Sequence, residues 1–214
     1  MDDFPERAFI PDQPNPIATD APGSVTEMPS PSFIGHIHIC TDVNYQAMVD
    51  FYVALFNGEV TAVNPGNPMT FITYDEYDHR VVVMYKEGWG TKPENPVGYS
   101  HLAFGYRSLG EVVFIYKRMK EWGYKPHWTV NHGNSTSFYY QDPDGNDVET
   151  MVDNYPPVIT KSYKKNYQFS EDFGPMPDGN FDPDKMVELY EQGVPDTVLL
   201  DRNQVKRLKA EGKL

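Results

Sequence analysis

The chain contains one pattern of residues twice, and this internal duplication limits the folds that it can adopt. His36 and His101 each begin a short apolar run, and Gly58 and Gly123 follow these histidines at the same spacing. Both pairs are 65 positions apart (101 − 36 and 123 − 58). A repeated segment of this kind is a supersecondary unit that buries its apolar face against its copy. The sequence therefore predicts two similar modules that share a core.

The ends of the two copies differ at one chemically important position. The segment that begins at His79 (HRVVVM) matches the segment that begins at Asn146 (NDVETM) at an offset of 67, which places Glu149 opposite Val82. Two imidazoles and one carboxylate form a facial triad that binds Fe(II) and leaves positions open for substrate and dioxygen. The duplication therefore predicts a metal site with three protein ligands: His36, His101 and Glu149.

Hydrophobic periodicity gives both modules the order β-α-β-β-β. The first module is predicted to have strands at 33–40, 59–63, 69–74 and 80–86, and a helix at 45–57 that ends in a left-handed cap at Gly58. The second is predicted to have strands at 99–105, 125–130, 135–141 and 147–152, and a helix at 109–122. The predicted fold class is α+β, with two tandem βαβββ modules forming a half-barrel that encloses a metal ion.

The segments that flank the modules have a different composition. Residues 1–32 hold seven of the 19 prolines, and they predict an N-terminal arm that is disordered or extended across the body or a partner subunit. The predicted domain covers residues 33–154, with modules at 33–87 and 98–153. Residues 155–214 are predicted to form a C-terminal extension, packed on the domain or contacting another subunit, with a helix that begins at Asp182-Pro183.

Charge and cysteine content limit the partners of the chain. A net charge of −13 argues against nucleic acid and against an anionic membrane surface, and it favours neutral substrates over anionic ones. Cys40 is the single cysteine, which excludes an internal disulfide, and it is expected to be a small buried side chain. The sequence shows neither a signal peptide nor an apolar run of about 20 residues. We expect a cytoplasmic homodimer or higher homo-oligomer.

Two histidines on the first predicted strand compete for the same role. His38 shares the strand face of His36, so either imidazole could reach an ion. The spacing to Gly58 matches the second module for His36 and not for His38. We therefore prefer His36 as the ligand and assign His38 to the pocket lining.

Three other side chains are candidates for acid–base chemistry or substrate binding. His79 and His132 precede strands, where each is either a surface residue or a neutral imidazole that moves a proton. Tyr139 is either a core aromatic residue or a hydroxyl donor to a substrate oxygen. His127 lies either at the mouth of the pocket or on the surface.

Residues 33–154 resemble the vicinal-oxygen-chelate superfamily, whose paired βαβββ modules close around a metal. The segments Gly98-Tyr-Ser-His101-Leu-Ala-Phe and Asn131-His132-Gly-Asn-Ser-Thr-Ser-Phe-Tyr139-Tyr-Gln-Asp-Pro-Asp-Gly-Asn-Asp-Val-Glu149 resemble those of type I extradiol ring-cleavage dioxygenases. The resemblance implies Fe(II)-dependent cleavage of an aromatic diol by O2, in the catabolism of aromatic compounds. It also implies roles for individual residues: iron ligands at His36, His101 and Glu149, an acid–base histidine at His79, and hydrogen-bond partners of the substrate at His132 and Tyr139.

Two other functions remain open at this stage. One is a metalloenzyme of the same superfamily, similar to glyoxalases, epimerases or thiol transferases and using Zn²⁺, Ni²⁺ or Mn²⁺. A glyoxalase-like site would need a second glutamate near position 82, where this chain has Val82. The other is a metal-free protein that binds an aromatic ligand. Mn²⁺ is also an alternative to Fe(II) in the dioxygenase, since it accepts similar ligands.

Overall fold

The computed structural model describes residues 19–93 and 97–214. The chain divides into two compact units, Met1–Gly35 and His36–Leu214. In the first unit, residues 19–35 contain a turn and bends but neither a helix nor a strand. The predicted N-terminal arm covers residues 1–32, and its first 18 residues lie outside the described part of the chain.

The first module has the predicted order of elements. Its strands are β1 (Ile37–Thr41), β2 (Glu59–Asn64), β3 (Met69–Thr73) and β4 (Val81–Tyr85), and helix α1 (Tyr45–Phe56) follows β1. The strands form a sheet in the order β1-β4-β3-β2, in which β1 and β4 are parallel and the other neighbours are antiparallel. This order leaves β1 at the edge of its sheet.

The second module repeats this topology. Its strands are β5 (His101–Tyr106), β6 (Trp128–Asn131), β7 (Ser135–Gln141) and β8 (Asp147–Asp153), with helix α2 (Leu109–Glu121) after β5. The strand order is β5-β8-β7-β6, with the parallel pair again at the edge. The predicted α+β fold of two tandem βαβββ modules is confirmed.

The glycines after the two helices serve different purposes. Gly123 has a φ of +87°, as expected for a residue that ends a helix in the left-handed region. In the first module, Asn57 takes this role with a φ of 50°. Gly58 is required for another reason, because a Cβ atom there would lie 2.7 Å from the Cγ2 atom of Ile72. The predicted cap is therefore one residue too late.

The two modules pack against each other through their helices. Arg118 on α2 donates a hydrogen bond to the carbonyl oxygen of Ala54 on α1, at 2.8 Å. Aromatic rings extend the contact, with Phe56 and Phe104 centroids 4.5 Å apart. The apolar side chains of α1 and α2 belong to one buried cluster. Among the described residues no strand ladder joins β1 to β5, so the two sheets remain separate.

A buried hydrogen bond also ties the modules together. The hydroxyl of Tyr52 on α1 donates to Asp142 Oδ2 at 2.9 Å, and both residues are buried. Asp142 begins the turn between β7 and β8, where its other oxygen accepts the backbone N–H groups of Asp144 and Asn146. Burial raises the pKa of the Asp142 carboxyl above its ordinary value, and hydrogen bonds from Asn146 and Tyr52 limit the rise.

The C-terminal extension is mostly helical and packs on the second module. It contains α3 (Pro157–Tyr163), a π-helical turn (Lys164–Gln168), α4 (Pro183–Glu191), α5 (Asp196–Leu199) and α6 (Arg202–Ala210). Asp182 caps α4 as predicted, accepting the backbone N–H of Asp184. Only α4 has a predicted counterpart. No helix in residues 19–93 and 97–214 is long and apolar enough to cross a bilayer.

Replacing Tyr52 with phenylalanine should lower the free energy of unfolding by about 1.5–3 kcal/mol, because a buried carboxylate loses a hydrogen-bond donor. Urea denaturation followed by circular dichroism measures the change. Tyr124→Phe is the matched control, since its ring contacts Phe51 while its hydroxyl makes no hydrogen bond to the described residues. Equal losses in the two variants would contradict the role assigned to the Tyr52 hydroxyl.

Candidate metal and substrate site

His101 and Glu149 meet at the edge of the second sheet. The parallel register of β5 and β8 pairs His101 with Asp147 and Ala103 with Glu149. The imidazole Nε2 of His101 lies 3.0 Å from Oε2 of Glu149. Glu149 is 5% exposed, whereas His101 is partly open to solvent. A buried carboxylate and an accessible imidazole thus converge on one point.

The spacing of these two donors suits a shared metal ion. Nitrogen and oxygen ligands bind divalent transition ions at about 2.1 Å, so two ligands at right angles lie about 3 Å apart. The two side chains fit this geometry without movement of the backbone. They provide two donors of the predicted set of three.

A second pair of polar side chains stands beside the first. Nε2 of His132 and the hydroxyl of Tyr139 are 3.0 Å apart and hydrogen-bonded. Trp128 stacks on the Tyr139 ring at 4.6 Å, and the edge of that ring faces His101 at 5.2 Å. These contacts hold the tyrosine hydroxyl next to the His101–Glu149 pair.

The surroundings of His132 and Tyr139 keep both side chains neutral near pH 7. Burial lowers the pKa of His132, and the nearby Glu149 carboxylate opposes this shift. Burial is also the main reason that the pKa of Tyr139 rises, with a further contribution from Glu149. The tyrosine therefore keeps its proton, and the hydroxyl can donate it in a hydrogen bond to a substrate oxygen.

These four residues line one open pocket of about 270 Å³. Its complete lining is His101, His132, Asn134, Ser135, Tyr139, Glu149, Met151, Lys164 and Gln168. Lys164 and Gln168 come from the π-helical turn of the C-terminal extension. Sequence reasoning missed both, because the irregular and polar stretch around them carries no periodic pattern that would indicate its position.

The remaining predicted histidines form a separate group in the first module. The rings of His36 and His79 lie 4.6 Å apart, and His79 also contacts Phe71 edge-on at 5.1 Å. Burial, followed by the charge of His36, lowers the pKa of His38. Cys40 is exposed on the same strand, which corrects the expectation that it is buried. His36 and His38 on this strand face are exposed as well.

The three predicted ligands do not form one cluster within this chain. In residues 19–93 and 97–214 no group of three or more His, Cys, Asp or Glu side chains is placed to hold a metal ion. His101 and Glu149 meet, but His36 pairs with His79 instead. The structure therefore does not bring His36 together with His101 and Glu149 in the described chain, and their assignment as one ligand set stays a prediction. The modules pack through α1 and α2, and among the described residues no ladder joins β1 to β5.

Strand register shows which histidines are equivalent in the two modules. His38 lies opposite Val82 in the first sheet, as Ala103 lies opposite Glu149 in the second. His38 therefore corresponds to Ala103, and the residue two positions before it, His36, corresponds to His101. Val82 is buried at the position equivalent to Glu149.

His127 lies outside the wall of this pocket. Its Nε2 atom is 3.0 Å from Oδ1 of Asp147, and the side chain is exposed. Of the two readings made from the sequence, the position on the surface matches the structure.

The turn that carries His132 is held against the C-terminal extension by a glycine. Gly133 has a φ of +89°, and a Cβ atom there would lie 2.7 Å from Cε2 of Phe173 and even closer to the hydroxyl of Tyr163. Asn131 accepts the backbone N–H of Gly133 at 2.7 Å. A side chain at position 133 would therefore push the extension away from the pocket.

Gly133→Ala should lower the free energy of unfolding by about 2 kcal/mol or more, because backbone strain adds to a steric clash. It should also speed hydrogen exchange in residues 163–168. Gly145→Ala is the matched control, since Gly145 has a φ of +78° and open space around it. Exchange in residues 163–168 that is equal in the two variants would show that Gly133 does not position the extension.

Comparisons with known proteins agree with this architecture. The sequence profile of the Glyoxalase/Bleomycin resistance protein/Dioxygenase superfamily matches residues 33–150. A solved glyoxylase/bleomycin resistance protein/dioxygenase domain from Frankia sp. EAN1pec aligns with 58% of this chain and 99% of its own, with a TM-score of 0.50 and 16% identity. This likeness supports the fold alone.

Two curated relatives are closer in sequence. Biphenyl-2,3-diol 1,2-dioxygenase 3 of Rhodococcus globerulus is 36% identical over 160 residues, which cover 73% of this chain and 81% of that protein. Biphenyl-2,3-diol 1,2-dioxygenase 2 of the same organism is 34% identical over 169 residues, covering 78% and 85%. The chain therefore belongs to the glyoxalase/bleomycin resistance/dioxygenase superfamily, the vicinal-oxygen-chelate proteins, and within it is similar to the extradiol dioxygenases.

Proposed function

We propose that this chain is an Fe(II)-dependent extradiol dioxygenase that cleaves a catechol-type aromatic diol with O2. The observation that carries the proposal is the convergence of two pairs of side chains on one pocket. His101 and Glu149 offer a nitrogen and an oxygen donor 3.0 Å apart, and the hydrogen-bonded His132 and Tyr139 stand next to them. The two relatives are named for a reaction of this class.

The residues of the second module have separate tasks. His101 and Glu149 would hold the ion, for which Mn(II) is the alternative. When bound, ferrous iron supplies adjacent positions for the diol and dioxygen, which makes their encounter effectively intramolecular. His132 and Tyr139 would bind one diol oxygen by hydrogen bonds, because both are neutral and held in place by Trp128. The buried Glu149 carboxylate offsets part of the ion's charge.

We propose in addition that the active enzyme is a homodimer, in which a second copy completes each site. His36 of one copy would supply the third ligand to His101 and Glu149 of the other. Both halves of the site lie on strands, β1 and β5, whose outer edges pair with no other described strand. A twofold axis would pair β1 of each copy with β5 of the other, which creates two identical sites. Pairing would also cover edge strands that otherwise invite aggregation.

Exposed apolar surface along both edges supports association. A groove of about 680 Å³ follows β5, with aromatic walls that include Phe56, Phe104 and Tyr106. Beyond the strand ends, Val43 and Tyr99 are 83% and 85% exposed. Exposed apolar patches of this kind mark protein contacts. Since the groove lies beside the strand that carries His101, we assign it to the β1 edge of the second copy.

His79 would enter the site together with His36. Its Nδ1 atom is engaged by the carboxylate of Asp78, which leaves Nε2 to accept a proton. Ring cleavage of a diol requires the removal of a phenol proton and its transfer to an oxygen, a task for which imidazole is suited. The 4.6 Å contact with His36 would place this base beside the metal ligands.

The structure offers less support for a glyoxalase-like isomerase. Such a site would need a second carboxylate where this chain has Val82, which is 2% exposed in the sheet. An isomerase consumes no oxygen. Oxygen uptake with a diol substrate therefore separates the two functions.

Protein loaded anaerobically with ferrous iron should consume oxygen and form a yellow ring-fission product when a catechol and oxygen are added. Oxygen electrode and visible absorbance measure the two together. Glu149→Gln should lower kcat/KM by at least about 100-fold, since even the hydrogen-bond partners of metal ligands are worth 10–100-fold. His127→Ala is the control, because His127 lies outside the pocket. A wild-type protein that binds iron but leaves monocyclic and bicyclic diols intact would overturn the proposal.

Subunit complementation tests the shared site. Copies carrying His36→Ala and copies carrying Glu149→Ala should each be inactive, while their co-expression should restore about a quarter of the wild-type activity, because half of the dimers then hold one intact site. Co-expression of His101→Ala with Glu149→Ala is the control and should restore nothing, since both changes affect the same half. Sites contained within single chains would give no recovery in either mixture.

A further inference from the structure

The C-terminal extension contributes a cation to the candidate site. Lys164 and Gln168, at the two ends of the π-helical turn Lys164–Gln168, line the pocket together with His101, His132, Tyr139 and Glu149. We call the five residues Lys164–Gln168 the roof turn. All other lining residues come from the second module. The extension is therefore part of the pocket wall.

The roof turn is held in a fixed place. Tyr163, which precedes it, packs on Gly133 and stacks between Tyr155 and Tyr167, with centroid distances of 5.1 and 5.4 Å. Stacked aromatic pairs of this type contribute beyond their buried area. The position of Lys164 next to the His132 turn thus follows from packing.

Arg202 also anchors the extension to the turn that carries His132. The buried guanidinium of Arg202 donates to the carbonyl oxygens of Asn131 at 2.6 Å and Pro175 at 2.9 Å. It also lies over the ring of Phe173 at 3.9 Å. Asn131 immediately precedes His132, so α6 and the pocket wall are tied together.

Lys164 is exposed and has no partner among the described residues. Its ammonium group makes neither a hydrogen bond nor an ion pair with residues 19–93 or 97–214, whereas Lys206 pairs with Asp178 and Lys213 with Glu211. Lys164 and His132 both line the pocket. An unpaired cation on a pocket wall is suited to an anionic ligand group.

Two neighbouring atoms also lack partners. Gln168 Oε1 and Asn134 Oδ1 are buried, and neither has a hydrogen-bond donor within the described residues. Buried acceptors of this kind are normally satisfied, so a bound molecule with hydroxyl groups would complete them. Met151 is the only apolar side chain in the lining. A second, unsubstituted aromatic ring would lie against polar groups, which is unfavourable.

We propose that the substrate is a single-ring catechol with a carboxylate substituent, which Lys164 binds. This inference rests on the proposed dioxygenase function and adds the substrate class. His101, Glu149, His132 and Tyr139 would engage the two diol oxygens, and Lys164 would bind the substituent on another side of the ring. Lys164 is then a specificity-determining residue: its charge distinguishes an acid from a neutral compound of the same shape.

Pairs of substrates that differ by one carboxylate charge test the role of the Lys164 charge. Iron-loaded protein under oxygen is assayed with dihydroxybenzoates and dihydroxyphenylpropionates and, in parallel, with their methyl esters. The wild type should prefer the acids by about tenfold or more in kcat/KM, the size expected for a charged hydrogen bond. Lys164→Gln should remove the preference, Lys164→Arg should retain it, and Lys164→Glu should reverse it in favour of the esters. Lys165→Gln is the control, because this exposed lysine carries the same charge outside the pocket.

A binding measurement separates failure of this inference from failure of the proposed function. Calorimetric titration with 3-hydroxybenzoate and its methyl ester needs no turnover, and the acid should bind more tightly only when position 164 is Lys or Arg. If diols are cleaved without a preference for acids, or if Lys164→Gln weakens acids and esters equally, Lys164 does not read the substituent. If no diol is cleaved but the preference in binding holds, the dioxygenase assignment fails and the carboxylate site stands.

Discussion

The packing of α1 against α2 determines where the chemistry of this protein can take place. Both helices bury their apolar faces in one core, and each large side chain buried there contributes about 1.5–3 kcal/mol. Arg118 and Tyr52 add hydrogen bonds between the modules. Among the described residues no ladder joins β1 to β5, and His36 contacts His79 whereas His101 contacts Glu149. The proposed metal site with three ligands would then take its third ligand from a second copy.

The site divides into two halves with complementary chemistry. The second module places Glu149 beside His101 through the parallel register of β5 and β8, and it also holds the hydrogen-bonded His132 and Tyr139, which are the proposed metal and substrate partners. The first module holds His36 and His79 in contact. Neither half has both a complete ligand set and an acid–base group. Assembly of two copies would join them twice, with the same geometry in both sites.

The C-terminal extension places Lys164 at the pocket, so the local charge and the net charge predict different substrate preferences. A net charge of −13 favours neutral ligands at long range. Ions in solution screen that field beyond about 8–10 Å at physiological ionic strength. A contact with Lys164 acts at a much shorter distance, within a pocket that holds a neutral His132 and an ionisable Glu149. Under the proposal, the nearest cation would decide the preference for the substituent, and the net charge would affect mainly the rate of approach.

The sequence by itself determined the two βαβββ modules, their strand boundaries to within a few residues, and the equivalence of His36 with His101, because these features depend on local periodicity and repeat spacing. It also identified His101, His132, Tyr139 and Glu149 as candidates for metal and substrate binding. Only the tertiary structure decided that His36 contacts His79 and not the His101–Glu149 pair, that Cys40 is exposed and that Lys164 lines the pocket. These outcomes depend on which faces pack together, and free energies of packing between distant segments leave no periodic signal in the chain.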